Sequence, residues 1–137
     1  MEDWVMKKIQ MVLVLACAFL SFRCEPLGES TVGSPADTQI YGASFTVDST
    51  YVNGSSLYAT GRVTNTGTAA LSPPWYVEAQ FYTDATYSTK LGGNYATINV
   101  PLNRGQTTFW KIGFTSNNVD VRSYPNFRVS DIRAIYK

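Results

Sequence analysis

The sequence predicts an antiparallel β-sandwich of six or seven strands behind an N-terminal export segment. Three observations carry that expectation. Beyond residue 38, apolar and polar side chains alternate with a period of two, as half-buried strands require. The runs are short and are broken by Asn-Gly, Asn-Thr-Gly and Pro-Pro. The same region is rich in Thr, Val and aromatic residues and shows no helical period after residue 24.

The elements follow in order. Lys7 and Lys8 precede an apolar run from Ile9 to Phe22, broken by Gln10 and Ser21. A basic stretch and an apolar run of this length fit a secretory signal better than a membrane span, which needs about 20 apolar residues. Met6, ahead of Lys-Lys, reads as the natural start. Three processing outcomes fit. Cys24 closes the run about 18 residues after Met6 and resembles the lipidated cysteine of a bacterial lipoprotein, although Arg23 stands where a small residue is expected. Cys17, after Val14-Leu15-Ala16, is the alternative lipidation site. Ala16-Cys17-Ala18 would serve ordinary signal cleavage and secretion. The leading expectation takes residues 1–24 as the signal peptide, of the lipoprotein type. Residues 25–38 carry Pro, Gly and Ser and no aromatic, and read as a flexible tether. The expected domain, residues 39–137, is cysteine-free and rests on core packing, without a disulfide.

Within the domain, Phe45, Val47 and Ser49 alternate with Thr46, Asp48 and Thr50, and Asn53-Gly54 supplies a hairpin turn. Leu57, Ala59, Gly61 and Val63 form the next strand, ending at Asn65-Thr66-Gly67. Trp75, Val77, Ala79 and Phe81 form a third, with Pro73-Pro74 outside its ladder because proline lacks the donor. Ala96, Ile98 and Val100 are the fourth, and Thr108 to Phe114 the fifth. A last strand runs from about Asn126 to Tyr136, where the alternation slips near Ser130-Asp131 as a bulge would make it do. Trp75, Phe81, Trp110 and Phe114 take the inward phase. This is the pattern of an immunoglobulin or fibronectin III-like sandwich, without the Cys-Trp-Cys core of antibody domains.

A resemblance adds to this. "GRVTNTGTAALSPPWYVEAQFYTDATYSTKLGG", "VPLNRGQTTFWKIGF" and "YPNFRV" resemble the FxLYD-type family, small immunoglobulin-like domains of exported bacterial and archaeal proteins, many of them lipoproteins. Gly61, Val63, Asn65 and Gly67 sit at the family's G-x-V-x-N-x-G turn. Phe81-Tyr82, Leu91, Leu102 and Gly105 fall on further motif positions. At the naming motif the chain departs: Thr83 separates Tyr82 from Asp84, and Ala79 replaces the leading Phe. The resemblance implies a fold and an exported setting, and no catalysis.

The chemistry that remains is sparse. The 137 residues hold no histidine, which excludes imidazole bases, Ser-His and Cys-His nucleophiles and nearly all zinc sites. Asp48, Glu78, Asp84, Asp120 and Asp131 are dispersed, without the pairing of a glycosidase or the spacing of a calcium loop. From residue 38 onward eight Lys or Arg stand against these five acids, but without a run, so nucleic acid is not an expected partner. Gly92-Gly93 lacks the context of a phosphate loop. No cofactor or metal is expected. The surplus is aromatic: Tyr58, Tyr76, Tyr82 and Phe109 fall on the outward phase, and Tyr87 in a loop. The first three form the candidate binding surface.

The expected protein is therefore a non-catalytic structural or interaction module of the cell envelope, held to the membrane by its lipid or anchor, with another envelope protein as partner. The alternative is a carbohydrate-binding module that stacks a glycan on those aromatics. Cross-strand pairing of the same rings is the competing structural reading.

Overall fold

The computed structural model of the protein describes residues 36–137. The expected signal segment with Cys17 and Cys24, and the tether as far as residue 35, lie outside the described residues. The rest is all-β. Strands β1 (Thr38–Ile40), β2 (Ala43–Asn53), β3 (Ser56–Asn65), β4 (Trp75–Tyr82), β5 (Lys90–Ile98), β6 (Thr107–Phe114) and β7 (Arg128–Tyr136) follow one another, with a single 3-10 turn at Val121–Ser123. They form two antiparallel sheets, ordered β1-β7-β4-β5 and β2-β3-β6.

The sheets pack face to face because the inward phases are apolar. Leu57, Ala59 and Val63 of β3 and Trp110, Ile112 and Phe114 of β6 meet Trp75, Val77, Ala79 and Phe81 of β4 in one cluster. Phe81 stacks on Phe114 at 5.2 Å between ring centroids and on Phe127 at 5.8 Å. The four aromatics expected inward, Trp75, Phe81, Trp110 and Phe114, are all buried. Gly61 is the close-approach point of the core. A Cβ there would lie 1.9 Å from the Thr46 carbonyl oxygen and 2.4 Å from Trp110 Cζ2, so the indole lies across a bare backbone.

Three register shifts interrupt the ladders, one of them between Phe81 and Tyr82 where β4 meets β5, and the other two are bulges that set the phases. In β7 the register runs Glu78↔Arg133 and then Gln80↔Ser130, leaving Asp131 and Ile132 across from Ala79, with Asp131 at φ 51. This is the slip expected near Ser130-Asp131. A second bulge, unexpected, lies between Val47 and Ser49 in β2. The simple alternation of Phe45, Val47 and Ser49 therefore fails. Beyond Asp48 the phase flips, Thr50 and Val52 turn toward the core side opposite Ala59 and Leu57, and Val47 stays exposed. The fourth predicted strand is also displaced. It runs over Lys90–Ile98 rather than Ala96–Val100, and Gly92 and Gly93, buried opposite Phe81 and Gln80, lie inside it. Lacking a Cβ, they break the period that would have marked the strand.

The short β1 pairs antiparallel with the end of β7, Thr38 opposite Tyr136, and Lys137 Nζ lies 3.8 Å from Asp37 Oδ2. The described chain thus enters and finishes at one end of the sandwich. The same end carries Tyr41-Gly42, the 66–74 loop and the 99–106 loop, tied together by the Leu71–Leu102 bridge and by Trp75 Nε1 donating to the Val100 carbonyl at 3.0 Å. The far end carries the Asn53–Ser56 turn and the 83–89 and 115–127 loops.

Candidate interaction surfaces

The outward tyrosines are split between the two sheets. Tyr58 stands on β3, on the outer face of the three-stranded sheet, and Tyr76 and Tyr82 stand on β4, on the outer face of the other. They do not share a surface. Two sheets packed through their inner faces point their outer faces in opposite directions.

Each ring is also already engaged. Tyr58 stacks on its cross-strand partner Tyr51 at 5.3 Å and 18°, and its ring lies against Gly113, where a Cβ would stand 2.8 Å from Cε1. Lys111 Nζ sits 4.7 Å from the Tyr58 centroid, a cation–π distance. Its hydrogen bond to Tyr51 holds its pKa above the usual lysine range. On the opposite face Tyr76 meets Tyr95 edge-on at 5.5 Å, with Lys137 Nζ 4.0 Å from the Tyr95 centroid. Beside them the carboxylate of Glu78, 1% exposed, accepts from Arg133 Nε across β4 and β7. Such pairs stabilise the outer face of a sheet by a few tenths of a kcal/mol to ~1 kcal/mol each. A glycan would need an open ring face for stacking, and these faces are largely spent on protein partners.

Tyr82 makes the most polarised contact. Its hydroxyl donates to the Asp131 carboxylate, which the β7 bulge presents, while Tyr87 packs edge-on at 5.5 Å. The hydrogen bond, then desolvation and the negative charge of Asp131, push the Tyr82 pKa up to about 12. Because the folded value lies above the unfolded one, near 10, the stabilisation is complete below pH 10 and is lost as pH rises through 12. Spectrophotometric titration of the folded protein should show one tyrosine ionising about two units late, and Tyr82→Phe should delete that phase. Its survival in Tyr82→Phe would assign the late phase to another ring.

The loops at the two ends differ in chemistry. At the far end they read Asn-Gly-Ser-Ser, Thr-Asp-Ala-Thr-Tyr-Ser-Thr and Thr-Ser-Asn-Asn-Val-Asp-Val-Arg-Ser, satisfied internally. Asp84 Oδ1 accepts from Thr86 N at 2.8 Å, and Asp120 accepts from Arg122 N and Nε at 3.1 and 2.9 Å. Both carboxyls are held below the usual carboxylate range, Asp84 first by the Thr86 hydroxyl at 2.6 Å and then by its N–H, and Asp120 first by the Arg122 side chain and then by its N–H. At the end where the chain enters, the loops read Thr-Ala-Ala-Leu-Ser-Pro-Pro and Val-Pro-Leu-Asn-Arg-Gly, and Tyr41 is 82% exposed. An apolar-lined groove of about 510 Å³ opens there between Ile40-Tyr41 and Ala69–Leu71.

Period-two reasoning found the outward phase of Tyr58, Tyr76 and Tyr82 but missed their partners Tyr51, Tyr95, Lys111 and Lys137. Lys111 could have been placed outward from its phase with Phe109; its neighbours across the ladder could not. Tyr41, in the turn between sheets, carries no periodic signal. Comparison of the chain with protein-family models, curated proteins and solved structures finds no match.

Proposed function

We propose that the protein is a non-catalytic module of the cell envelope, exported, anchored through a lipid on Cys24, and engaged in a structural or protein-interaction role. The observation that carries this reading is the order of parts along the chain. A basic and apolar segment closed by Cys24 is followed by a Pro/Gly/Ser spacer, and β1 begins directly after it, at Thr38. The domain would then hang from one end, with its polar far end turned away from the membrane.

An immunoglobulin-type sandwich, the fold that the FxLYD resemblance implies, is supported by strand pairing. With β2 to β7 taken as strands A, B, C, C′, E and F, the pairs β2–β3, β3–β6, β4–β7 and β4–β5 reproduce A–B, B–E, C–F and C–C′. The place of strand G beside F is filled from the N-terminal side, by β1.

The test is fractionation of cells expressing the full chain. Acyl chains hold a protein at a bilayer through about 0.8 kcal/mol per buried methylene, so their loss should release it. Cys24→Ser should move the protein from the membrane to the soluble fraction, and Cys17→Ser should not. The reverse pattern would assign the lipid to Cys17. If neither variant moves, the lipid anchor is excluded.

A further inference from the structure

The geometry points to the chain-entry end of the sandwich as a surface that rests on phospholipid, so that the domain lies against the bilayer instead of swinging free on its spacer. This inference rests on the anchored reading above and adds an orientation to it. Four observations converge.

The first is exposure of apolar groups where the chain enters. Tyr41 is 82% exposed beside the groove it lines with Ala69 and Ala70, and Val100, 48% exposed, stands with the exposed Pro101 in the 99–106 loop, so apolar tips are spread over the width of this end. Tips spread over one end of a sandwich suit a flat partner, which can meet them together. The second is its composition. A tyrosine beside aliphatic and proline side chains suits the boundary between headgroups and acyl chains, where an amphipathic ring keeps its hydroxyl in water. The third is charge. At this end Asp37 is ion-paired with Lys137, whose main-chain carboxyl also lies here, and Arg104 stands exposed in the 99–106 loop. The other side-chain carboxylates of the described residues lie along the strands or in the far loops, so this end carries no net charge to hold it off a bilayer. The fourth is reach. Thirteen residues separate Cys24 from Thr38, and a flexible coil of that length spans roughly 20 Å on average, a reach that would keep this end within touching distance of the bilayer.

The structure is built to hold the cluster in place. Tyr41 precedes Gly42, whose carbonyl accepts from Thr66 and Gly67 N at 2.7 and 2.8 Å; Val100 is fixed through its own carbonyl by Trp75. Rigid presentation of the apolar tips lowers the ordering cost of docking. The far end exposes Tyr87 and Pro125 among Ser, Asn and Thr side chains, with the carboxylates of Asp84 and Asp120 beside them, and suits anionic headgroups less.

Hydroxyl-radical footprinting of the full chain tests this, in vesicles of phosphatidylcholine with phosphatidylglycerol and, as Cys24→Ser, in buffer. Tyr41 labelling should fall several-fold on the vesicles, while Phe109, on the outer sheet face, and Tyr87, at the far end, label equally in both states. If Cys24→Ser leaves the membrane and Tyr41 labels alike in both states, the docking is overturned while the anchored reading stands. If Cys24→Ser stays with the membrane, the lipid anchor fails instead. The ratio of Tyr41 to Phe109 labelling on the vesicles then still decides the orientation. Protection that disappears when the protein is diluted on the vesicle surface would assign this end to a second copy of the chain and overturn the lipid contact.

Discussion

Trp110→Ala should lower the stability of the domain by about 3–5 kcal/mol, the range for emptying a large aromatic site in a close-packed core. Trp110 is buried on β6, directly opposite Gly61 on β3, and its indole fills the space that a side chain at residue 61 would take. The glycine makes the site specific. With no Cβ on the facing strand to collapse into the gap, truncation leaves a cavity instead of a repacked wall. For a domain of this size the loss corresponds to a fall in Tm of roughly 15 °C or more. Trp110→Phe separates packing from polarity. The indole Nε1 is buried without a hydrogen-bond partner, so phenylalanine keeps much of the ring contact and removes a desolvated N–H. It should cost far less than alanine. Thermal denaturation followed by near-ultraviolet circular dichroism checks both variants. Equal losses for alanine and phenylalanine would mean that the N–H is satisfied in solution, and an unchanged Tm for Trp110→Ala would remove the residue from the core.

Period two was legible wherever a strand was long and no more than one glycine interrupted its side chains. β3, β4 and β6 stand where their alternation put them, and the bulge in β7 announced itself as a slip at Ser130-Asp131. Three residues are too few to show a period, so β1 was hidden in the end of the spacer. Gly92 and Gly93 erased the pattern of β5. The bulge at Asp48 went unseen because polar residues surround it, and its stabilising contact is distant in sequence: Arg62 grips Asp48 through Nε and Nη2, each at 3.1 Å. The same limit governs the candidate surface. Alternation states that Tyr58, Tyr76 and Tyr82 point outward. Which sheet each strand joins is decided by pairings between remote segments, and β3 and β4 part company at the 66–74 loop. A shared aromatic face was therefore an inference about topology that local pattern could not supply.

Asn65→Ala should be the second severe substitution, costing on the order of 3 kcal/mol although it removes no apolar surface. Asn65 closes β3, is 1% exposed, and satisfies its amide completely within the chain-entry end. Nδ2 donates to the carbonyls of Ala69 and Leu102, both at 2.8 Å, and Oδ1 accepts from Gly67 N at 2.9 Å. Its own backbone joins in, with N donating to the Gln106 carbonyl at 3.0 Å and O accepting from Gly105 N at 2.7 Å. One side chain thus ties the 66–74 loop to the 99–106 loop across the end of the three-stranded sheet. A net contribution of ~1 kcal/mol for each of three such bonds gives the figure; alanine leaves the Ala69 carbonyl without this donor, while the Leu102 carbonyl keeps Leu71 N and Gly67 N keeps the Gly42 carbonyl. Asn65→Asp is the discriminating variant. It keeps the acceptor facing Gly67 but turns the donor to Ala69 and Leu102 into a second acceptor, placing a negative charge beside two carbonyl oxygens. If geometry alone held the loops, aspartate would be nearly neutral; if the donated bonds hold them, it should destabilise at least as much as alanine. Amide hydrogen exchange gives the local readout: in both variants the Leu71 and Leu102 amides, which bond each other's carbonyls at 3.0 Å, should lose protection well before the β4 strand does. Uniform loss across both sheets would show instead that Asn65 acts on the core as a whole.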